Sequence, residues 1–578
     1  MDASDPSAAQ DRTAGAALFE RLGALGIDYV FCNSGTDFPP IIEGLAAAQA
    51  ARAEGGAKLP QTILCPHEHA ALGMAHGVWF ATGRPQAAIL HTNVGLANGA
   101  IGAINAATDH VPLLLMSGRT PTTEKDRFGA RTVPIGWGQE MRDQAALVRE
   151  ACKWEYELRF PEQVHEVLDR AWAVAESTPK GPVYLSLPRE VLCEPAGPAS
   201  APAPLMAPAA AAPRAQDVET LADWIAGAQK PLILSQRGPG SDAAFDALAA
   251  LVETWAIPVC HWWANAIAVP TTSPMEVGAD PLPWLVEADL VIVLDALAPW
   301  MPDAHRPDPS ARIVHIGPSP LHARTPIRNF PSRLSLPGET SETVLRLADA
   351  LAARRPGPSV APRRARVAAE TARLKTAQRA RAEAGGGAGP MSKAWVSRCL
   401  ADAMETAGRR STVVSELGAP LAGLPCGHRN AWRQEPHSGG LGWGLPAAMG
   451  VALAEPETLV FATMGDGSYV FSNPVACHQT IEALGLAPVI LVLNNAEWGA
   501  VRQSVKGLYP DGHAARANAM PLTSLAPAPD FAAVAAASRA WARRVERGDD
   551  LPAALAEAVR TATVDKRCAL LDLNVAPD

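Results

Sequence analysis

Phe461-Ala-Thr-Met-Gly-Asp-Gly-Ser468, read together with Val489-Ile-Leu-Val-Leu-Asn-Asn495, decides the interpretation of this chain. The first stretch is an apolar run that ends in Gly465-Asp466-Gly467, where a helix is expected to begin. The second is an apolar run that ends in paired amides. In a parallel α/β sheet both runs deliver their ends to the same carboxyl edge, where ligands bind. One carboxylate, one amide oxygen and nearby carbonyls make an oxygen-only nest suited to Mg²⁺ with a diphosphate. The glycines let backbone N–H groups approach phosphate, and a following helix N-terminus favours negative charge.

Working outward, the same grammar repeats along the chain. Short apolar runs stand at Tyr29–Cys32, Gln86–Leu90, Pro112–Met116 and Val183–Leu187, then at Pro231–Ser235, Leu290–Leu294 and Arg312–Ile316. They recur at Thr412–Ser415, Leu459–Ala462, Val489–Leu493 and Ala569–Leu573. Ala-rich helical segments separate them. Short buried runs alternating with helices predict parallel sheets covered on both faces. Two compositional breaks divide the chain: a Pro/Ala/Gly/Ser stretch from Glu194 to Arg214, and Gly385-Gly386-Gly387, which follows a basic helical segment starting near Pro362. The expectation is three doubly wound α/β domains in series: 1–193, 215–355 and 391–578, joined by linkers 194–214 and 356–390.

Length and composition set the bounds. A chain of 578 residues exceeds one hydrophobic core. It is 48% hydrophobic and 19% charged with a net charge of −9, so it carries no basic footprint for nucleic acid. The first fifteen residues are polar and no apolar stretch reaches membrane-spanning length, which predicts a cytoplasmic protein. Nine cysteines lack any Cys-x-x-Cys spacing and read as reduced thiols rather than a disulfide framework or zinc site.

Asn495 follows 29 residues after Asp466, and this arrangement resembles the cofactor signature of thiamine diphosphate (ThDP) enzymes. The resemblance implies that Mg²⁺ is held by Asp466, Asn495 and the main-chain carbonyl of Glu497. It implies cofactor contacts from Gly465, Gly467 and Ser468. The loop Ser415-Glu-Leu-Gly-Ala-Pro420 would add backbone N–H groups of Gly418 and Ala419. ThDP chemistry needs a carboxylic acid against the distal ring nitrogen of the aminopyrimidine, and burial favours its protonated form. Cys65-Pro-His-Glu68-His-Ala-Ala71 resembles the family's activating segment and puts Glu68 in that role. His76 stands where the family usually carries Asp. His437-Ser-Gly-Gly-Leu-Gly-Trp443 resembles the cofactor-bending loop, with Leu441 as the wedge between the two rings and the Gly439 carbonyl as acceptor for the exocyclic amine.

The implied order is pyrimidine-binding, middle and diphosphate-binding domain, as in the pyruvate decarboxylase and acetolactate synthase superfamily. Locally the chain is most similar to benzoylformate decarboxylase. Asn33-Ser-Gly-Thr36 resembles its substrate loop, with Thr36 at the substrate-binding position. Leu90-His91-Thr92 resembles the segment that carries its first active-site histidine. His305 is the candidate for the second, and His437 is another. The tandem histidines of pyruvate decarboxylases are absent from Thr120–Gln139, whereas Gly136-Trp-Gly-Gln-Glu140 resembles a segment of acetolactate synthases. The implied activity is decarboxylation of a 2-oxo acid to an aldehyde. The alternatives are carboligation, lysis of a 2-hydroxyacyl thioester, and a non-catalytic ThDP-binding paralogue. Trp137, Trp300 and Trp498 are candidates for lining an aromatic pocket. Arg237-Gly-Pro-Gly240 is a weak nucleotide signal in the middle domain. The resemblance further implies a homodimer or homotetramer with active sites between subunits, and Tyr509–Pro529 is a candidate lid.

Overall fold

A computed structural model describes residues 12–53, 55–56, 58–197 and 204–577; the middle of the expected 194–214 linker lies outside them. The described chain builds three α/β sheets in which every paired strand is parallel. The first contains β1 (Tyr29–Cys32), β2 (Gln61–Leu64), β3 (Gln86–Leu90), β4 (Leu113–Arg119), β5 (Glu155–Glu157) and β6 (Val183–Pro188), in the order β2-β1-β3-β4-β6-β5. The second contains β7 (Pro231–Ser235), β8 (Val259–Cys260), β9 (Leu290–Leu294), β10 (Arg312–Gly317) and β11 (Leu334–Pro337), in the order β11-β10-β9-β7-β8. The third contains β12 (Ser411–Glu416), β13 (Trp432–Gln434), β14 (Leu459–Gly465), β15 (Val489–Asn494), β16 (Trp541–Val545) and β17 (Ala569–Asn574), in the order β13-β12-β14-β15-β17-β16.

The apolar runs of the sequence are the inner strands. β3, β7, β9 and β15 are buried at every position, as helices on both faces require. Strand order reverses direction between β1 and β3 in the first sheet, and between β12 and β14 in the third. Connections leave opposite faces at these switch points, and a crevice opens at the carboxyl ends of the strands.

The chain forms two compact units. One takes the chain up to Ala209 together with Pro436–Glu455 and holds the first sheet; the other comprises Ala210–Glu435 and Pro456–Asp578 and holds the second and third. Within the first unit, helix Gly444–Ala454 packs on helix Glu68–Thr82. Small residues permit the close crossing: side chains added at Gly73, Gly77 and Gly450 would strike Pro446, Ala447 and the Met74 backbone. In the second unit, the stretch 356–390 is mostly one helix, Val360–Ala384. Its Val360 and Val367 enter the core of the second sheet. Arg363 donates to the carbonyls of Trp255, Ala256, Ala228 and Gln229 at 2.6–3.0 Å. This helix therefore buttresses the second sheet instead of merely spanning to the third.

Candidate active site

The sequence-predicted residues fall into two groups. Thr36, Glu68, His91, Gly439 and Leu441 belong to the first unit; His305, Gly418, Ala419, Gly465–Ser468, Asn495 and Glu497 belong to the second.

In the first unit the site is built on the switch point between β1 and β3. Glu68 opens helix Glu68–Thr82, whose N-cap His67 accepts from the His69 N–H. Helix Thr92–Thr108 carries Gly95, Gly99 and Gly102 on the face turned to it. Side chains at Gly99 and Gly102 would collide with Leu90 and Leu72 respectively, and one at Gly95 would press on the Glu68 carboxylate and touch His91. The bare backbone of Gly95 thus leaves room for Glu68 next to His91. Asn98 Nδ2 donates to Glu68 Oε2 at 3.0 Å.

His91 follows β3, caps helix Thr92–Thr108 and is half-buried. Its Nδ1 is bonded to Asp37 Oδ1, and its Nε2 lies 3.0 Å from the Gln139 amide nitrogen. The hydrogen bond to the Asp37 carboxylate raises the His91 pKa above the usual imidazole value, against the opposing effect of burial. Thr36, beside Asp37, is exposed and shares a small pocket with Asp37, Thr92, Arg131 and Gln139. Asp37 carried no signal in the sequence beyond its place in a polar loop. Gln139 was legible only through the resemblance of its segment.

The loop His437–Trp443 is pinned from below. Asn105, fully buried, donates to the Gly440 carbonyl at 2.9 Å and accepts from Ser438 Oγ at 2.6 Å. A side chain at Gly440 would overlap Asn105, and Gly439 and Gly442 have φ of +68° and +83°, which glycine adopts without a steric penalty. Leu441 is half-buried at the top of this loop. His69 lies beneath it, and burial pushes its pKa down to about 4. His76 accepts the Trp443 indole N–H at 3.1 Å and packs against the Phe80 ring, so the departure from the family's Asp is absorbed by aromatic packing.

In the second unit the site is built on the switch point between β12 and β14. Leu417–Ala419 leaves β12 and lies against β14: a side chain at Gly418 would overlap the Thr463 backbone. Ala419 already donates its N–H to Thr463 Oγ1 at 3.2 Å, so a phosphate could recruit that N–H only by breaking this bond. Asp466 follows β14. Its Oδ1 accepts the Gly467 N–H at 2.9 Å, whereas its Oδ2 is buried without a hydrogen-bond partner. Burial raises the Asp466 pKa.

The paired amides at the end of β15 divide their work. Asn494 Nδ2 donates to Asp572 Oδ1 at 3.0 Å and ties β15 to β17. Asn495 Oδ1 accepts only the Glu497 N–H among the contacts seen, at 3.1 Å. The Glu497 carboxylate is held by Arg502 at 2.8 Å and by Thr523, so a metal contact from Glu497 falls to its carbonyl. An orphaned buried carboxylate oxygen, an amide oxygen and a carbonyl suit a hard cation. Among the described residues no cluster of three or more His, Cys, Asp and Glu forms an alternative metal site. The residues therefore fit Mg²⁺. The end of the 509–529 stretch is anchored here: Trp498 donates to the Thr523 carbonyl and Leu525 to the Ala496 carbonyl, both at 2.8 Å.

Other expected residues lie elsewhere. Trp300 is buried in the core of the second sheet against Phe330, which removes it from any substrate pocket. His305 accepts the Met301 N–H at 3.1 Å and packs edge-on against Trp262 within the middle-sheet region. Trp137 is exposed, donating to Glu124 with Arg131 over its ring. Arg237 pairs with Asp295 at 2.8 Å.

Comparison with known proteins identifies the family. The thiamine pyrophosphate enzyme N-terminal TPP binding domain matches residues 12–147, the central domain 218–347, and the C-terminal TPP binding domain 421–573. The chain belongs to the thiamine pyrophosphate enzyme family. It is a ThDP-dependent enzyme whose curated relatives include decarboxylases and synthases. It is 28% identical to a protein of Pseudomonas aeruginosa named "Probable 2-ketoarginine decarboxylase AruI", over 93% of this chain and 90% of the relative. It is 27% identical to benzoylformate decarboxylase of the same species, over 85% and 87%. The solved structure of a ThDP-dependent 4-hydroxybenzoylformate decarboxylase from Rhodococcus jostii superposes with a TM-score of 0.77 at 23% identity, covering 98% of this chain and 99% of that one. That likeness is one of fold.

Proposed function

We propose that this enzyme, with ThDP and Mg²⁺, cleaves the bond between the carboxylate and carbonyl carbons of a 2-oxo acid, releasing CO₂ and an aldehyde. Bound ThDP supplies the electron sink for that cleavage. Asp466, Asn495 and the Glu497 carbonyl hold Mg²⁺, and the Leu417–Ala419 loop lies beside the diphosphate. Glu68 holds a proton on the cofactor's aminopyrimidine. The loop pinned by Asn105 fixes Leu441. His91 delivers a proton from its ring to the substrate-derived carbon, and Thr36 orients the substrate carboxylate.

The observation that carries the reading is that Glu68 and His91 both neighbour Gly95, at the carboxyl edge of the first sheet. An activating acid and a proton carrier in one crevice serve proton chemistry rather than passive cofactor storage. From the resemblance to enzymes whose active sites lie between subunits, we infer that the working enzyme is a homodimer or homotetramer. The small pocket beside Asp37 and Gln139, the two partners of His91, mixes Thr36, Thr92 and Arg131 with Pro121 and Val133.

The second reading is carboligation, favoured by Gln139, which contacts His91 within the segment that resembles acetolactate synthases. A screen of 2-oxo acids from pyruvate to phenylglyoxylate, with CO₂ and aldehyde measured, tests the proposal. Adding an acceptor aldehyde separates the readings: acyloin in place of free aldehyde selects the second. No CO₂ from any 2-oxo acid contradicts both. The nine free cysteines fit a reducing compartment, and we place the enzyme in the cytoplasm.

A further inference from the structure

Two segments that the sequence treats as unrelated, the loop after β1 and the end of β3, meet at the switch point of the first sheet through Asp37 and His91. Asp37 is only 4% exposed. Its Oδ1 is bonded to His91 Nδ1, and its Oδ2 accepts the Thr92 N–H at 3.2 Å. The surroundings leave this pair one arrangement. A side chain at Gly118, on the neighbouring β4, would overlap the Asp37 carboxylate; one at Gly35 would overlap the His91 ring. The two nearby cations are engaged elsewhere. Arg131 donates to the Pro121 carbonyl and Glu140, and Arg189 to the carbonyls of Gly129, Ala130 and Thr36. The charged groups acting on His91 are therefore Asp37, in contact, and Glu68, which also neighbours Gly95.

Resting on the reading of His91 as the proton carrier, we infer that Asp37 is its positioning residue. Asp37 takes the Nδ1–H, so Nε2 is the ring nitrogen that faces the reaction. A carboxylate on one nitrogen fixes both the tautomer and the ring plane, and stabilises the imidazolium that the carrier must become. Gln139 at Nε2 serves both states, because its amide offers an N–H to the neutral ring or, turned over, its oxygen to the protonated one. The transfer balances: Nε2–H gives its proton to the substrate-derived carbon, the ring becomes neutral with Nδ1–H still on Asp37, and solvent restores the Nε2 proton.

The test is ring-nitrogen NMR of the full-length protein with ¹⁵N-histidine, His91 being assigned by loss of its signals in His91→Gln. Neutral His91 in the wild type is expected to carry its proton on Nδ1 and to titrate above the ordinary imidazole range. Asp37→Asn is expected to lower that titration by at least half a pH unit. It is also expected to reduce kcat about tenfold or more with KM within about twofold, and to move the alkaline limb of kcat to lower pH. An Nε2–H tautomer in the wild type overturns the inference whether or not any variant folds. So does a His91 titration unchanged in Asp37→Asn. Full turnover by His91→Gln, with the Nδ1–H tautomer intact in the wild type, instead overturns the proton-carrier reading and leaves the pairing standing.

Discussion

Gly467 and Trp498 are packed so tightly that a Cβ on the glycine would overlap the benzene half of the indole. The indole is held from behind by Phe471, edge-on at 5.8 Å, and its backbone by Thr523. The glycine after Asp466 is therefore fixed by an aromatic ring over its own turn, and any movement of Trp498 is felt at the Asp466 carboxylate. Gly467→Ala should destabilise the protein by about 1–3 kcal/mol, as overpacking does, and weaken ThDP binding in the presence of Mg²⁺. Thermal denaturation and a cofactor titration check this. Unchanged affinity would separate the turn from the cofactor.

Asp466 carries a buried oxygen without a hydrogen bond, and burial raises its pKa. A carboxyl whose folded pKa lies above its unfolded value favours folding at pH below the unfolded pKa, and loses that contribution as pH rises through the folded pKa. At neutral pH without metal the charge is thus a liability. Asp466→Asn should leave the metal-free protein at least as stable as wild type near pH 7. It should also abolish the rise in melting temperature that Mg²⁺ and ThDP give the wild type. An Asn variant still stabilised by both ligands would exclude Asp466 as the metal anchor.

Glu435 follows β13 and is buried, with Oε2 accepting the Leu417 N–H at 3.3 Å. Burial raises its pKa to about 7. The sign is again that of a raised carboxyl: no penalty below about pH 4.5, a growing penalty through pH 7, and the full penalty above it. Glu435→Gln should raise the melting temperature at pH 8 and leave it nearly unchanged at pH 4.5–5. Equal shifts at both pH values would show that Glu435 is solvated in the native state.

Asn105 holds the Gly440 carbonyl and Ser438 at once. Asn105→Ala should free the loop that carries Leu441, lowering kcat more than it lowers ThDP affinity. Steady-state kinetics beside a cofactor titration measure the split; equal losses would assign Asn105 to general stability.

Much of the fold was legible because the inner strands are continuous apolar runs. The strands that escaped notice, β2, β5, β8, β11, β13 and β16, are the two edges of each of the three sheets. An edge strand is paired on one side only, so it needs no apolar run. β5 is Glu-Tyr-Glu with all three residues half-buried, and β16 places Arg543 and Arg544 in solvent. The site divides in the same way. Glycine-marked positions such as Gly439, Gly465 and Gly467, and motif residues such as Asp466, Asn495 and Glu68, announce themselves by local sequence. Asp37, Asn105 and Glu435 do not, because each acts on a residue far along the chain and its own neighbours give no sign of that contact. Trp300 misled for the opposite reason: an aromatic ring on a loop looks like a pocket wall, but this one belongs to a core.

Hydrogen–deuterium exchange at C2 of bound ThDP, wild type against Glu68→Gln, tests the central claim most directly, since it requires the Mg²⁺ anchor and the activating acid together and no knowledge of the substrate. The wild type should accelerate exchange far above that of free ThDP. Glu68→Gln should bind the cofactor with similar affinity yet lose on the order of 10²–10⁴-fold of that acceleration. Exchange no faster than in free solution for the saturated wild type, or equally fast in both proteins, would contradict the account.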